Sequence, residues 1–205
     1  VELTLMDTPQ LTERLFQLFT GQDFIEMKGV AHEIPFYIQT YDVSKEDEVM
    51  NMVASLGMRL KSAGIAVSSI NLFETVLADL RKNGLLEELI ASEADYSKQD
   101  LFETLQNVSD PKTRLVPRIV EELSRDSAKL TFITGSGRVY PFLRTHTILE
   151  SLQPAMVKHP VIIFFPGEYT QDDLGGSHLR LFGSVPSPKI NNPFYRAVNL
   201  DHVKI

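Results

Sequence analysis

Three stretches of this chain hold side chains whose type and spacing could do chemistry. The first is Gly135-Ser136-Gly137-Arg138, between a strand candidate and a helix candidate. Glycines allow a tight backbone turn, helix N-terminal N–H groups attract anions, and Arg138 adds a cation. Such a turn could cradle a phosphate. It completes no nucleotide motif: there is no G-x-x-x-x-G-K-[ST] run, and Tyr140 stands where a dinucleotide fingerprint needs a third small residue. The plainer reading is a tight strand-to-helix turn. The second stretch places Phe142, His146 and Leu149 at i, i+4 and i+7 of the helix expected to follow. That spacing favours a core histidine over a ligand or base. Arg144 falls on another face, pointing either to the sheet end or to solvent. The third is Pro166-Gly167-Glu168-Tyr169-Thr170, directly after an apolar run. Glu168 could serve as a general acid or metal ligand, but a lone carboxylate supports either only weakly. Arg180, inside Leu179-Arg180-Leu181-Phe182, is placed to pair with Glu168 near one sheet end. Gly135, Ser136, Gly137, Arg138, Arg144, Glu168 and Arg180 together make the candidate ligand pocket.

Several reaction classes lack their residues. The five histidines, His32, His146, His159, His178 and His202, form no H-E-x-x-H or other metal spacing. Ser136 has no G-x-S-x-G elbow around it. The chain contains no cysteine, so disulfides, Cys-ligated zinc, thiol catalysis and iron–sulfur clusters are excluded. The expectation is a protein without catalytic activity, cofactor or metal, and the missing cysteines fit a reducing cytoplasm.

The elements that must position these residues alternate. Thr8-Pro9 opens a helix that Gly21 ends. A strand is expected over 34–41. Ser44, with Asp47 as a capping partner, opens a helix carrying Val49, Met52, Val53, Leu56 and Leu60. A strand at 65–70 leads to Asn71, which with Glu74 caps a helix. Short helices follow from Leu85 and, behind a Ser97/Asp100 cap, from residue 98. Asp110-Pro111 opens another, in which Pro117 either kinks the helix or marks its true first turn. Then come a strand at 129–134, a helix over about 139–152, and strands at 161–165 and 179–182. The Pro- and Asn-rich stretch 184–192 reads as irregular. Strands alternating with helices imply crossovers and a mostly parallel sheet. The predicted fold is a single α/β domain over 1–205, Rossmann-like, with about five strands flanked by helices. Residues 71–126 form a helical insertion in it.

Net charge is −7, unevenly spread. Residues 1–110 hold 19 acidic and 8 basic side chains, and residues 111–205 hold 8 and 12. An acidic half argues against broad nucleic-acid binding, which needs clustered Lys and Arg; the asymmetry could instead guide a protein partner. No apolar run approaches the ~20 residues of a membrane span. The chain opens on Val1, and its first residues lack a targeting pattern.

Taken in order, longer phrases form a recognisable set. They are Glu33-Ile34-Pro35-Phe36-Tyr37-Ile38, Asn71-Leu72-Phe73, Leu115-Val116-Pro117, and the run from Thr134 through Arg138-Val139-Tyr140-Pro141 to His146. Leu152-Gln153-Pro154, Phe164-Phe165-Pro166-Gly167-Glu168-Tyr169-Thr170 and Leu179-Arg180-Leu181-Phe182-Gly183 complete the set. The set resembles the BrxB family of bacteriophage exclusion (BREX) defence systems. The resemblance implies a cytoplasmic bacterial protein working beside an alkaline-phosphatase-like PglZ protein, a DNA methyltransferase and a large ATPase. It implies a pathway and no reaction: a non-catalytic interaction subunit, with the PglZ-type protein as its direct partner. The alternative is a degenerate nucleotide- or phosphate-binding regulatory module of the same system.

Overall fold

The computed structural model describes residues 7–28, 35–125, 127–155, 157–171, 177–183 and 197–203. Helices Thr8–Thr20 (α1) and Gln22–Ile25 (α2) come first. Strand Phe36–Tyr41 (β1) leads into Glu46–Ser62 (α3), and strand Val67–Asn71 (β2) into Leu72–Lys82 (α4). Helices Leu85–Ser92 (α5), Lys98–Val108 (α6) and Val116–Arg125 (α7) follow without an intervening strand. Strand Leu130–Thr134 (β3), helix Thr145–Leu152 (α8) and strands Val161–Gln171 (β4), Ser177–Leu181 (β5) and Val198–Asn199 (β6) complete the chain.

Strands β2, β3, β4, β1 and β6 lie side by side in that order, all parallel. Side-chain alternation explains the layers. On β1, Phe36 and Ile38 join one buried cluster, while Tyr37 and Tyr41 join another. On β4, Val161, Ile163 and Phe165 join the first, and Ile162 and Phe164 the second. Strands apolar on both faces need cover on both faces. Helices α4, α5, α7 and α8 cover the first face; α1, α2 and α3 cover the second. The 71–126 helices are thus one layer over the sheet. On the second face Phe132 lies 5.6 Å from the Phe19 ring and 5.5 Å from Phe164. Truncating such a ring to Ala costs about 3–5 kcal/mol.

Strand β4 outruns its neighbours. Residues 161–166 pair in parallel with β1, and 167–171 pair antiparallel with β5. The strand changes partners at Pro166-Gly167. There the Pro166 carbonyl accepts from Phe182 N–H at 2.8 Å, and Gly167 has φ +152°. A β-carbon on Gly167 would come within 2.2 Å of the Arg180 carbonyl oxygen, so only glycine fits.

Several expectations hold at the level of bonds. Asn71 accepts from the Phe73 and Glu74 amides, and Ser97 and Asp100 form a complete capping box. Others need correction. The helix expected from Val139 starts at Thr145, with residues 136–142 in turns. Phe142 therefore shares no helix with His146. Ser44 caps nothing: Asp42 accepts from the Ser44 amide at 2.8 Å, a short 3-10 turn spans Val43–Lys45, and α3 begins at Glu46. Pro117 lies in the first turn of α7, preceded by a π-helical turn, Pro111–Leu115. The strands at 161–165 and 179–182 are Val161–Gln171 and Ser177–Leu181. The irregular stretch expected at 184–192 lies outside the described residues.

Candidate functional site

The carboxyl ends of parallel strands are where ligands sit in open α/β sheets, above all where the chain leaves neighbouring strands toward opposite faces. Here β1 leads to α3 on the second face and β3 leads to α8 on the first, with β4 between those two strands. A cavity of about 410 Å³ opens at that end. Its walls are Thr40, Tyr41 and Asp42 from the end of β1, residues 167–170 of β4, Phe182 and Gly183 after β5, and Asn199 and Asp201 after β6.

Hydrogen bonds and ion pairs fix most polar groups around this opening. The buried Tyr41 hydroxyl donates to Glu46 Oε2 at 2.6 Å. Burial first, and that carboxylate second, push the phenol well above its usual range. Arg138 reaches the same carboxylate, its Nε 3.7 Å from Glu46 Oε1, and its second terminal nitrogen lies 3.8 Å from Asp47 Oδ1. Asp201 accepts from Gln39 Nε2 at 2.9 Å and from the Thr40 hydroxyl at 3.2 Å. The Tyr169 hydroxyl donates to the Ala197 carbonyl at 2.8 Å, tying β4 to the entry of β6.

The seven sequence-predicted residues separate into three places: the 135–138 turn, Arg144, and the Glu168–Arg180 pair. Gly135 (φ +78°) is packed against the Asn71 side chain. Ser136 is 1% exposed, and its hydroxyl donates to the Phe164 carbonyl at 3.1 Å. Gly137 packs against Pro166 and Phe182, and Arg138 turns toward α3. None of these four lines the cavity. The turn also lacks the helix N-terminus expected behind it, because α8 begins at Thr145. Arg144 stacks over the Tyr140 ring at 5.7 Å, apart from the opening. Glu168 and Arg180 face each other across the β4–β5 ladder, Arg180 Nη1 3.3 Å from Glu168 Oε2, both about half exposed. Only Glu168 of the seven lines the cavity.

Sequence reasoning missed Tyr41, Asp42, Glu46, Asn199 and Asp201. Asp42, directly after an apolar strand and two residues before Ser44, carried a legible turn signal. The β6 residues carried none. Charged groups lining the cavity are the carboxylates of Asp42, Glu168 and Asp201; among the described residues no Lys or Arg lines it, and Arg180 pairs with Glu168 from outside the lining. That lining suits a cation or hydrogen-bond donor and repels phosphate. Among the described residues no three His, Asp or Glu side chains are grouped to hold a metal ion. No helix among them is long and apolar enough to cross a membrane.

Residues 68–200 match the family model described as BREX protein BrxB. This chain belongs to the BrxB family. It is 30% identical over 200 residues to the BREX protein BrxB of Bacillus cereus (strain H3081.97), covering 93% of this chain and 97% of that protein. It is 25% identical over 168 residues to the BREX protein BrxB of Escherichia coli O9:H4 (strain HS), covering 80% and 83%. No solved structure matches. The match to the BrxB family contains the Gly135 turn, the Glu168–Arg180 pair and Asn199, and leaves out β1. Membership makes the chain a BREX component of phage defence.

Proposed function

We propose that this chain is a non-catalytic interaction subunit of its BREX system, working in the cytoplasm and docking the PglZ-type, alkaline-phosphatase-like component. One observation carries the reading: most polar side chains at the strand ends are paired with each other, with Gln39 Oε1 and Glu46 Oε1 buried without a hydrogen bond among the described residues. Glu46 is held by Tyr41 and Arg138, Glu168 by Arg180, Asp201 by Gln39 and Thr40, and the Ser136 hydroxyl by a backbone carbonyl. A centre built for bond-making keeps an acid, base or nucleophile aimed at open space. Here the glycine turn is filled by a neighbouring side chain.

The acidic cavity lining counts against the nucleotide-responsive alternative. Thermal shift with ATP, GTP, NAD and S-adenosylmethionine separates the two. A ligand at 100 times its Kd adds about 2.7 kcal/mol of stability. The assembly reading expects no shift with any of the four, together with co-elution of the PglZ-type protein at micromolar concentration. A nucleotide shift without co-elution reverses the assignment.

A further inference from the structure

The helical layer over the first sheet face is unfinished on its outer side. Helix α6 is amphipathic, yet none of its side chains is fully buried. Helices α5 and α6 each pack on α4 but barely touch each other. Between them runs an apolar groove of about 210 Å³. Val76 and Leu77 of α4 line its base, with Leu86 and Ile90 of α5 and Leu101 and Leu105 of α6 beside them. Leu86 and Ile90 stand one helical turn apart on one face, and Ile90 is 66% exposed. An isoleucine that open, beside a preformed groove, marks a contact surface more than scattered surface apolarity does.

The surroundings are acidic. Residues 72–108 hold eight carboxylates (Glu74, Asp79, Glu87, Glu88, Glu93, Asp95, Asp100, Glu103) against three cations (Arg81, Lys82, Lys98), a net of −5. Asp79 is taken by Arg118, and Asp100 closes the α6 cap. Glu87, Glu88, Glu93 and Asp95 form no ion pair among the described residues, and Glu93 itself lines the groove.

We infer that this groove docks an amphipathic helix of a partner protein whose apolar stripe is flanked by Lys and Arg. The inference rests on the assembly reading and names the surface and chemistry it would use. A groove between two helices accepts a third helix by apolar anchors at i, i+3, i+4 and i+7. The surrounding carboxylates attract a basic flank and reject an acidic one. They also disfavour a second copy of this chain, because a two-fold contact would set the same carboxylates against each other.

The test uses the full chain and a labelled Leu/Lys amphipathic peptide of about five helical turns. A Leu/Glu peptide of identical pattern is the control, read by fluorescence anisotropy. In parallel, the purified PglZ-type protein is tested for co-elution. Ile90→Arg is the decisive variant, since so exposed a side chain can change without unfolding the chain, which a thermal melt checks. Glu87→Lys with Glu93→Lys tests the charge. The Leu/Lys peptide should bind, weaken about tenfold or more with Ile90→Arg, and weaken again with the lysine pair. The Leu/Glu peptide should bind worse than Leu/Lys to the parent and better to the lysine pair. Failure of the Leu/Lys peptide to bind, or binding indifferent to Ile90→Arg, overturns the groove. So does parent self-association that Ile90→Arg abolishes, or co-elution with the PglZ-type protein that survives Ile90→Arg unchanged. Groove-dependent peptide binding without co-elution overturns the assembly reading and leaves the groove standing.

Discussion

The Asn71 side chain fills the space beside Gly135, so closely that a β-carbon on the glycine would lie 2.6 Å from Asn71 Oδ1. The same oxygen accepts from the Phe73 amide at 3.0 Å and the Glu74 amide at 3.2 Å, capping α4. The glycine turn is therefore built around the end of a neighbouring helix. Gly135→Ala adds both a clash and a positive-φ penalty and should cost about 1–3 kcal/mol in urea unfolding. Asn71→Ala should cost about 0.5–2 kcal/mol through the lost cap. Because the second change removes the clash, the double variant should lose less than the sum.

Glu168 and Arg180 occupy directly paired positions, but both are half exposed. Their coupling, measured with Glu168→Gln and Arg180→Met singly and together, should be about 0.2–1 kcal/mol. Raising NaCl to about 1 M should shrink it further. Strict additivity at low salt would count against the direct contact.

His146 stands at the start of α8. Burial first, and Arg144 second, lower its pKa below the ordinary 6.5. A group with a depressed folded pKa contributes stability above its unfolded value and loses it as pH falls through the folded one. Stability should therefore fall as pH drops from 6.5 into the acid range. His146→Gln should flatten that part of the urea-unfolding profile; an unchanged slope would mean the histidine does not govern it.

Tyr41 and Tyr37 act at the other extreme. Burial raises both phenols above the ordinary 10.0, Tyr37 to about 12, and at Tyr41 the Glu46 carboxylate adds to the effect. Their share of stability is complete below the unfolded value and is lost as pH climbs above it. Unfolding free energy should drop beyond pH 10.0, and Tyr41→Phe should make that drop shallower. At neutral pH the same variant leaves Glu46 Oε2 without its hydroxyl donor, at a cost of about 1–3 kcal/mol.

What the sequence revealed depends on how local each cause is. Caps such as Asn71 and Ser97, and the doubly apolar run in β4, are set within a few residues and were legible. The start of α8 was not, because residues 136–142 fold back in turns that serve contacts of Gly135 with Asn71 and Gly137 with Pro166. Pro166-Gly167 read as the end of a strand. In the fold it is the bend where β4 exchanges β1 for β5, a role set by the Arg180 carbonyl across the ladder. The Glu168–Arg180 pairing was inferable from two strand-end charges. The Tyr41–Glu46–Arg138 group was not, since it joins β1, α3 and the turn after β3, far apart in the chain. Strand β6 is two residues long, pairs only with β1 among the described strands, and is tied to β4 through Tyr169, contacts far off in the chain.

The central claim is assembly through protein contacts, and sedimentation velocity on an equimolar micromolar mixture of this chain and the purified PglZ-type protein tests it most directly. The account predicts one boundary heavier than either component, unchanged by added ATP. Two separate boundaries at the positions of the free proteins would contradict it.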